Sequence, residues 1–259
     1  MIKWMLAVLV FCVFSVPAHA ELERTLWAWD TQTPQQGNFS VSVGGGYENY
    51  NYLKVDGRTV QSTAALSYGI RDNWSAGLEV SYQYWWEKGY GEKYSEKGLG
   101  DSALVTTYRF INDRQSSVEF AVRGSLNVPT GDDDRYLGSG KWEPKLEFIT
   151  ASSLGPVVLV TNLGGTYIID ADDQEEHVVL NGDIECVVPL TSWLSANAVV
   201  SGWTSRWEES ADDHYLQLGG GVRVAPTAQT FIAASLYHLV ASDFYDDDWY
   251  VMLNLGAEF

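Results

Sequence analysis

From about residue 37 to the last residue, apolar and polar side chains alternate with a period of two, and the alternation restarts after each turn. This alternation is typical of β-strands that have one apolar and one polar face. No stretch longer than a turn has the periodicity of an amphipathic helix. The pattern predicts twelve strands, at about 37–50, 59–71, 74–86, 99–111, 117–128, 141–153, 157–169, 177–188, 193–206, 214–225, 229–241 and 249–259.

The connections between these strands are of two alternating kinds. Those after odd-numbered strands are mostly long and acidic, as in NYLKVDGR, EKGYGEKYSEKG and DADDQEEH. Those after even-numbered strands are short, as in RDNW and SLGP, and carry the residues of tight turns. Long loops at one end and short turns at the other are the layout of an outer-membrane barrel. The sequence therefore predicts an all-β fold, a single 12-stranded antiparallel transmembrane β-barrel of the outer-membrane type over residues 37–259.

The strands have two distinct faces, as a barrel between lipid and a polar lumen requires. In the third strand, for example, Leu78 and Val80 alternate with Glu79 and Ser81. The seventh and ninth strands are less clearly two-sided, which indicates a partly apolar lumen. Aromatic residues near the strand ends match the girdles at two membrane–water interfaces. These aromatic residues are Trp74, Trp85, Trp86, Tyr108, Phe110, Trp193, Trp203, Trp207 and Trp249.

The first 36 residues precede the predicted barrel. Residues 1–20 hold one lysine, an apolar run of twelve residues and the small-x-small pattern of Ala18 and Ala20, which predicts a secretory signal peptide cut after Ala20. Residues 21–36 would then begin in the periplasm, and they could fold into the lumen as a small plug. The net charge of −18 argues against nucleic acid as a partner.

The expected interior is narrow and charged. Twelve tilted strands give a backbone cylinder about 23 Å across, with a free bore of roughly 10 Å or less. The charges on the predicted inner faces either select solutes at a constriction or form a structural network of ion pairs and hydrogen bonds. The candidate residues are Glu79, Arg109, Glu119, Arg123, Lys145, Glu147, Asp183, Glu185 and Arg223. Glu119 and Arg123 of the fifth strand are expected to form one group with Lys145 and Glu147 of the sixth, because the two strands pair antiparallel.

The sequence contains no hydrolase or metalloprotease motif, so we expect no enzymatic activity, metal site or cofactor. An acid pair, Asp212 and Asp213, precedes His214 and is the one feature that could mimic a catalytic site at the rim. The acidic runs after odd-numbered strands could bind divalent cations and bridge to lipopolysaccharide, but solvated loops are the favoured explanation for them.

Short glycine-rich motifs occur in a fixed order along the chain: LWAWDTQTPQQGNFSVSVGGGY, GLGD at 98–101, VPTG at 128–131, LGSG at 137–140 and NLGG at 162–165. This order resembles the outer-membrane barrel family labelled "putative meta-pathway of phenol degradation". The resemblance covers most of residues 24–259. It implies an outer-membrane channel or uptake protein for small aromatic or other apolar compounds, and it implies no particular functional residues.

The sequence closes on YVMLNLGAEF, an alternating strand with a terminal aromatic residue. Phe259, with Leu255 and Leu253 on the same face, is expected to be both the seam of the barrel and the signal that the barrel-assembly machinery reads. The function expected is passage of a small solute through the lumen of a barrel held by outer-membrane lipids and lipopolysaccharide. A closed structural or adhesion barrel and a surface hydrolase are the alternatives.

Overall fold

A computed structural model describes residues 25–259, except 27, 53, 111–116, 174, 207–213 and 243–246. The expected signal peptide and the acid pair Asp212 and Asp213 therefore lie outside the described residues. The strands are β1 (Phe39–Tyr52), β2 (Val55–Arg71), β3 (Trp74–Gly89), β4 (Glu92–Arg109), β5 (Val118–Val128), β6 (Glu143–Leu154), β7 (Val157–Tyr167), β8 (Val178–Pro189), β9 (Leu194–Thr204), β10 (His214–Thr227), β11 (Thr230–Ala241) and β12 (Asp247–Glu258).

The strands form a closed barrel in which each pairs antiparallel with its neighbours in the chain, and β1 pairs with β12. The closing register runs from Ser40 opposite Glu258 to Asn51 opposite Asp247. Closure pairs the backbone groups that would otherwise form two open edges. The predicted twelve-stranded antiparallel barrel is confirmed. Among the described residues, no helix is long and apolar enough to cross a membrane.

The two ends of the barrel differ. The turn end carries the short connections, residue 37 and Phe259, whereas the loop end carries the longer connections, including the 3₁₀ turn Asp133–Arg135. The prediction of long loops after the first and third strands was wrong. Most of the residues assigned to these two loops instead extend the strands on either side. β3 continues to Gly89 and β4 begins at Glu92, so that only Tyr90 and Gly91 connect them. Both have positive φ, of 51° and 88°, as a tight hairpin turn requires.

The outer face is apolar, and the inner face is largely polar. Large apolar side chains such as Leu104, Phe148 and Leu163 are exposed on the outside, with 53, 59 and 63% of their surface accessible. An exposed apolar band of this extent is suited to lipid. The expected girdle residues Trp74, Tyr108, Phe110, Trp193 and Trp249 are among the exposed large side chains.

Two of the expected girdle residues lie elsewhere. Trp203 lines the lumen and stacks on Tyr215, with ring centroids 5.4 Å apart. Trp85 faces the inner side and donates to the carbonyl oxygen of Arg135, at 3.2 Å. An aromatic residue near a strand end can meet either the interface or an inward-folded loop, so its position along the strand does not decide between them. Trp207 lies outside the described residues.

Candidate channel lumen

The described residues that precede β1, from Thr25 onward, lie inside the barrel. The chain passes the turn end, where the N–H of Gly37 donates to Gly69 O at 2.8 Å and the N–H of Gln35 donates to Glu258 Oε1 at 3.0 Å. From there back to Thr25 it lies against the inner wall. The side chains of this stretch are largely buried, most deeply at Ala28 and Thr31. We call residues 25–36 the lumenal segment.

Two wall side chains hold the backbone of the lumenal segment. The carboxylate of Glu185, on β8, accepts the N–H of Leu26 at 2.6 Å and the N–H of Ala28 at 3.0 Å. The amide of Asn162, on β7, is oriented to accept the N–H of Trp29 at 2.7 Å and to donate to its carbonyl oxygen at 3.1 Å. Both wall residues are fully buried. They satisfy backbone groups that would otherwise be buried without partners.

Apolar contacts complete this attachment. Ala28 packs in a cluster with Ala121, Ile149, Ala151 and Val160, from β5, β6 and β7. Leu26 packs against Phe231 and Ala233 of β11. The apolar residues on the inner faces of β7 and β11 thus meet the lumenal segment. This explains why the seventh strand lacks a clear polar face.

Nearer the turn end, polar side chains fasten the rest of the segment. Glu119, on β5, accepts hydrogen bonds from the hydroxyl of Thr31 and from Gln32 Nε2, the second at 3.1 Å. Arg109, on β4, donates to Gln32 Oε1 at 3.3 Å and to the carbonyl oxygen of Asp72 at 2.9 Å. Glu119 and Arg109, both predicted to face the lumen, therefore bond the lumenal segment and the turn beside it.

At mid-height, Arg123 of β5 joins the wall to the lumenal segment. Its guanidinium donates to Glu79 Oε1 at 2.6 Å and lies over the ring of Trp29, 3.5 Å from the centroid. Arg123 is opposite Glu147 in the strand register, as expected, but its ion pair is with Glu79. Glu147 instead pairs with Lys145, at 2.8 Å. The predicted group of Glu119, Arg123, Lys145 and Glu147 is split, because four residues along a strand span about 13 Å.

All the charged residues predicted for the lumen lie on the inner face. Asp183, on β8, accepts a hydrogen bond from the hydroxyl of Ser201 and is buried. Arg223, on β10, lies over the ring of Phe231 at 4.9 Å. Sequence analysis missed Asn162, Trp29 and Glu258 as attachment residues. The signal that could have found Trp29 is the alternation of LWAWD ahead of the first strand.

Two adjoining cavities occupy the lumen between the lumenal segment and the loop end. The inner cavity, of about 470 Å³, is bounded by Leu26, Ala28 and Trp29 and by most of the wall. The outer cavity, of about 710 Å³, lies beneath the loop that joins β5 to β6. Gln61, Thr63 and Glu79 line both, so the two cavities adjoin each other. Their linings consist of charged, neutral polar and aromatic groups.

Three of the sequence motifs meet at the loop end. Asp101, from GLGD, accepts the N–H of Gly131 at 3.0 Å and both the N–H and the hydroxyl of Ser139, at 2.7 and 3.0 Å. Leu137, 2% exposed, fills the space beside Gly98, where a Cβ would lie 2.7 Å from its Cδ1. The motifs thus fix the shape of the loop 129–142 over the outer cavity.

An ion cluster joins this loop to its neighbours. Lys141 pairs with Glu175 and, at 2.8 Å, with Asp172, while Arg206 pairs with Glu175 at 2.6 Å and with Glu143 at 2.8 Å. Burial acts to raise the pKa of Glu175, but the hydrogen bonds from Lys141 and Arg206 outweigh it and lower this pKa to about 2. Glu175 is therefore a carboxylate at any physiological pH.

Two of the three histidines described in the structure, His177 and His238, have structural contacts. His177 stacks on Tyr167, and His238 stacks on Trp249 with its Nδ1 3.0 Å from the carbonyl oxygen of Asp248. His214 is exposed at the start of β10. Among the described residues, no group of three His, Cys, Asp or Glu side chains is placed to hold a metal ion.

Comparison with solved structures places the fold among outer-membrane barrels. An outer-membrane channel from Pseudomonas putida F1 superposes with a TM-score of 0.76 at 13% identity, over 91% of this chain and 100% of that chain. The NanC porin gives 0.59 at 8% identity, over 84% and 98% of the two chains. The CymD monoaromatic hydrocarbon channel gives 0.50 at 8% identity, over 87% and 89%.

Sequence comparison gives a family but no individual relative. No curated protein matches the chain significantly in sequence. One family model, described as "Putative MetA-pathway of phenol degradation", matches residues 30–243. This span contains the motifs that meet at Asp101, and it covers most of the barrel. The chain belongs to this family of outer-membrane barrel proteins.

Proposed function

We propose that the protein is an outer-membrane channel that admits a small solute at the loop end and releases it into the periplasm at the turn end. The observation that carries this proposal is the pair of adjoining cavities between the loop end and the lumenal segment. A barrel with only a structural or adhesive role has no need for such space in its lumen. The channel and porin folds among the similar structures support the proposal.

The lumenal segment acts as the gate in this proposal. Its contacts are with inward-facing side chains such as Glu185 and Asn162 and with the turn end, whereas the twelve strands pair around the barrel without it. The segment can therefore leave the lumen without breaking the hydrogen-bond ladder of the wall. Its departure would open a bore of roughly 10 Å or less.

A small aromatic or otherwise apolar solute fits the lining best. Trp29, Trp203, Tyr250, Phe231 and Met252 line the inner cavity together with polar groups. The cavity volume of about 470 Å³ is in the range of small-molecule sites. The family description refers to phenol degradation, and one solved barrel of similar fold is a monoaromatic hydrocarbon channel.

The experiment is conductance in planar bilayers, comparing the mature chain from residue 21 with a variant that lacks 21–36. We expect rare, brief openings from the mature chain and sustained openings from the variant. Uptake of phenol-sized solutes into proteoliposomes should likewise be slower with the mature chain than with the variant. The absence of conductance and of uptake in both proteins would reject the channel and favour a closed structural barrel. Lipid hydrolysis that is lost in His214→Ala would favour an enzyme.

A further inference from the structure

Carboxylates outnumber cationic groups along the path through the described lumen. The two cavities are lined by seven acidic and three basic side chains. The acidic residues are Glu79, Asp101, Asp133, Glu147, Asp172, Glu175 and Asp183, and the basic residues are Lys141, Lys145 and Arg206. The net charge of the lining is therefore negative at neutral pH. A passing solute meets this charge inside a wall of low dielectric constant, which concentrates the field.

The basic residues of the lining are held by carboxylates. Lys145 pairs with Glu147 at 2.8 Å, and both Lys141 and Arg206 pair with the same carboxylate, Glu175. Arg123, behind the inner cavity, pairs with Glu79 and has one face covered by the ring of Trp29. These positive charges are thus neutralised by neighbouring carboxylates, and we expect them to bind an anionic solute only weakly.

Aromatic faces occur beside the acids in the inner cavity. Trp203 and Tyr250 line the same cavity as Asp183. Asp183 accepts a hydrogen bond from the hydroxyl of Ser201, another lining residue, which holds its carboxylate at the cavity wall. The negative face of an aromatic ring attracts cations, and the attraction strengthens where water is excluded. Acids and rings together recognise an organic cation better than either does alone.

We propose that the lumen selects small cationic solutes over anionic ones, with Asp183 as the residue that sets this preference in the inner cavity. An aromatic amine is the solute class that meets both the acidic and the aromatic parts of the lining. This inference rests on the proposed channel function and specifies the charge of its solute. The acidic runs at the loop end would favour the approach of the same solutes.

The test is uptake into proteoliposomes by the mature chain of three solutes that share a phenol ring and differ in one group. Tyramine carries an ammonium, tyrosol a hydroxyl and 4-hydroxyphenylacetate a carboxylate. After subtraction of uptake by empty liposomes, we expect tyramine to enter at least about tenfold faster than the acid, with tyrosol between them. The variant that lacks residues 21–36 should keep this order, because the lining acids belong to the wall.

Asp183→Asn should bring the amine-to-acid ratio down several-fold. Glu92→Gln, which removes one charge at an exposed hairpin position, should leave the ratio unchanged. Heat-modifiable migration on gels verifies that each variant has folded as a barrel. Equal or faster uptake of the acid by the mature chain would overturn the charge preference while leaving the channel intact. If none of the three solutes enters proteoliposomes that contain the mature chain or the deletion variant, both the charge preference and the proposed channel function are overturned.

Discussion

The carboxylate of Glu185 accepts the backbone N–H of Leu26 at 2.6 Å, although 159 positions separate the two residues in the chain. Glu185 lies on β8 with no exposed surface, and its second oxygen accepts the N–H of Ala28. One buried side chain of the wall thus binds two peptide groups of the lumenal segment. Hydrogen bonds to a charged acceptor contribute about 1.5–3 kcal/mol each, so this contact is a major part of the attachment.

Glu185→Gln should loosen the lumenal segment. The amide keeps the size of the carboxylate but can present an oxygen to only one of the two N–H groups. We expect the open probability of single channels to rise by about 10-fold or more, which corresponds to the loss of roughly one charged hydrogen bond. Glu92→Gln is the charge-matched control. An open probability that stays at the level of the mature chain would show that Glu185 does not hold the gate.

Trp29→Ala should also favour the open state, and Trp29→Phe should do so less. The indole ring lies under the guanidinium of Arg123, and its backbone is held by Asn162. Phenylalanine keeps a ring for the cation, though a weaker one, whereas alanine removes it. The measurement is the frequency of openings in planar bilayers. Equal effects of the two substitutions would mean that the contact with Arg123 contributes nothing to closure.

Asp101→Ala should release the loop 129–142 from its fixed shape. The substitution leaves the N–H groups of Gly131 and Ser139 without their acceptor, at a cost of about 1–3 kcal/mol for each group that stays buried. Limited proteolysis should then cut this loop at least about tenfold faster. Asp134→Asn, which removes an exposed charge from the same loop, is the control. Unchanged proteolysis of Asp101→Ala would show that other contacts fix the loop.

The protection of the loop end should depend on pH through Glu175. Its pKa is lowered from 4.5 to about 2 when folded, so its ion pairs stabilise the loops fully above pH 4.5 and lose their effect as the pH falls towards 2. Hydrogen exchange of residues 137–142 should therefore be equally slow at pH 7 and 5, after correction for the intrinsic rate, and should accelerate below 4.5. Glu175→Gln should exchange faster at neutral pH and lose this dependence. The same acid response in both proteins would assign it to another group.

Deletion of Phe259 should reduce assembly into the membrane more than it alters the lumen. The backbone N–H and carbonyl of Phe259 bond to Phe39 across the seam, at 2.8 and 3.0 Å, while the residue as a whole is 60% exposed. We expect a several-fold lower amount of barrel in the outer membrane. The protein that does assemble should show normal conductance. Phe259→Trp, which keeps an aromatic ring, is the control, and an undiminished amount after deletion would contradict the predicted assembly signal.

Much of the wall could be read from local alternation. In β5 and β8 the polar positions, including Arg123 and Asp183, are the inward ones, because a β-strand places successive side chains on opposite faces. The hairpin at Tyr90 and Gly91 was not predicted, because its flanking sequence EKGYGEKYSEKG has the composition of a loop. In this region the backbone of β4 pairs with that of β3, although the residue types there do not predict a strand.

The strand number, the antiparallel order and the two faces of the wall follow from the sequence, because alternation, turn residues and loop lengths are local properties. The partners of the lumenal charges do not follow from it, because they depend on which side chains meet across a closed barrel. Arg123 bonds Glu79 two strands away rather than Glu147 beside it, and Glu185 bonds a segment from the start of the chain. Closure brings such residues within hydrogen-bond distance. Once buried, each polar group is stable only when it is hydrogen-bonded to a partner.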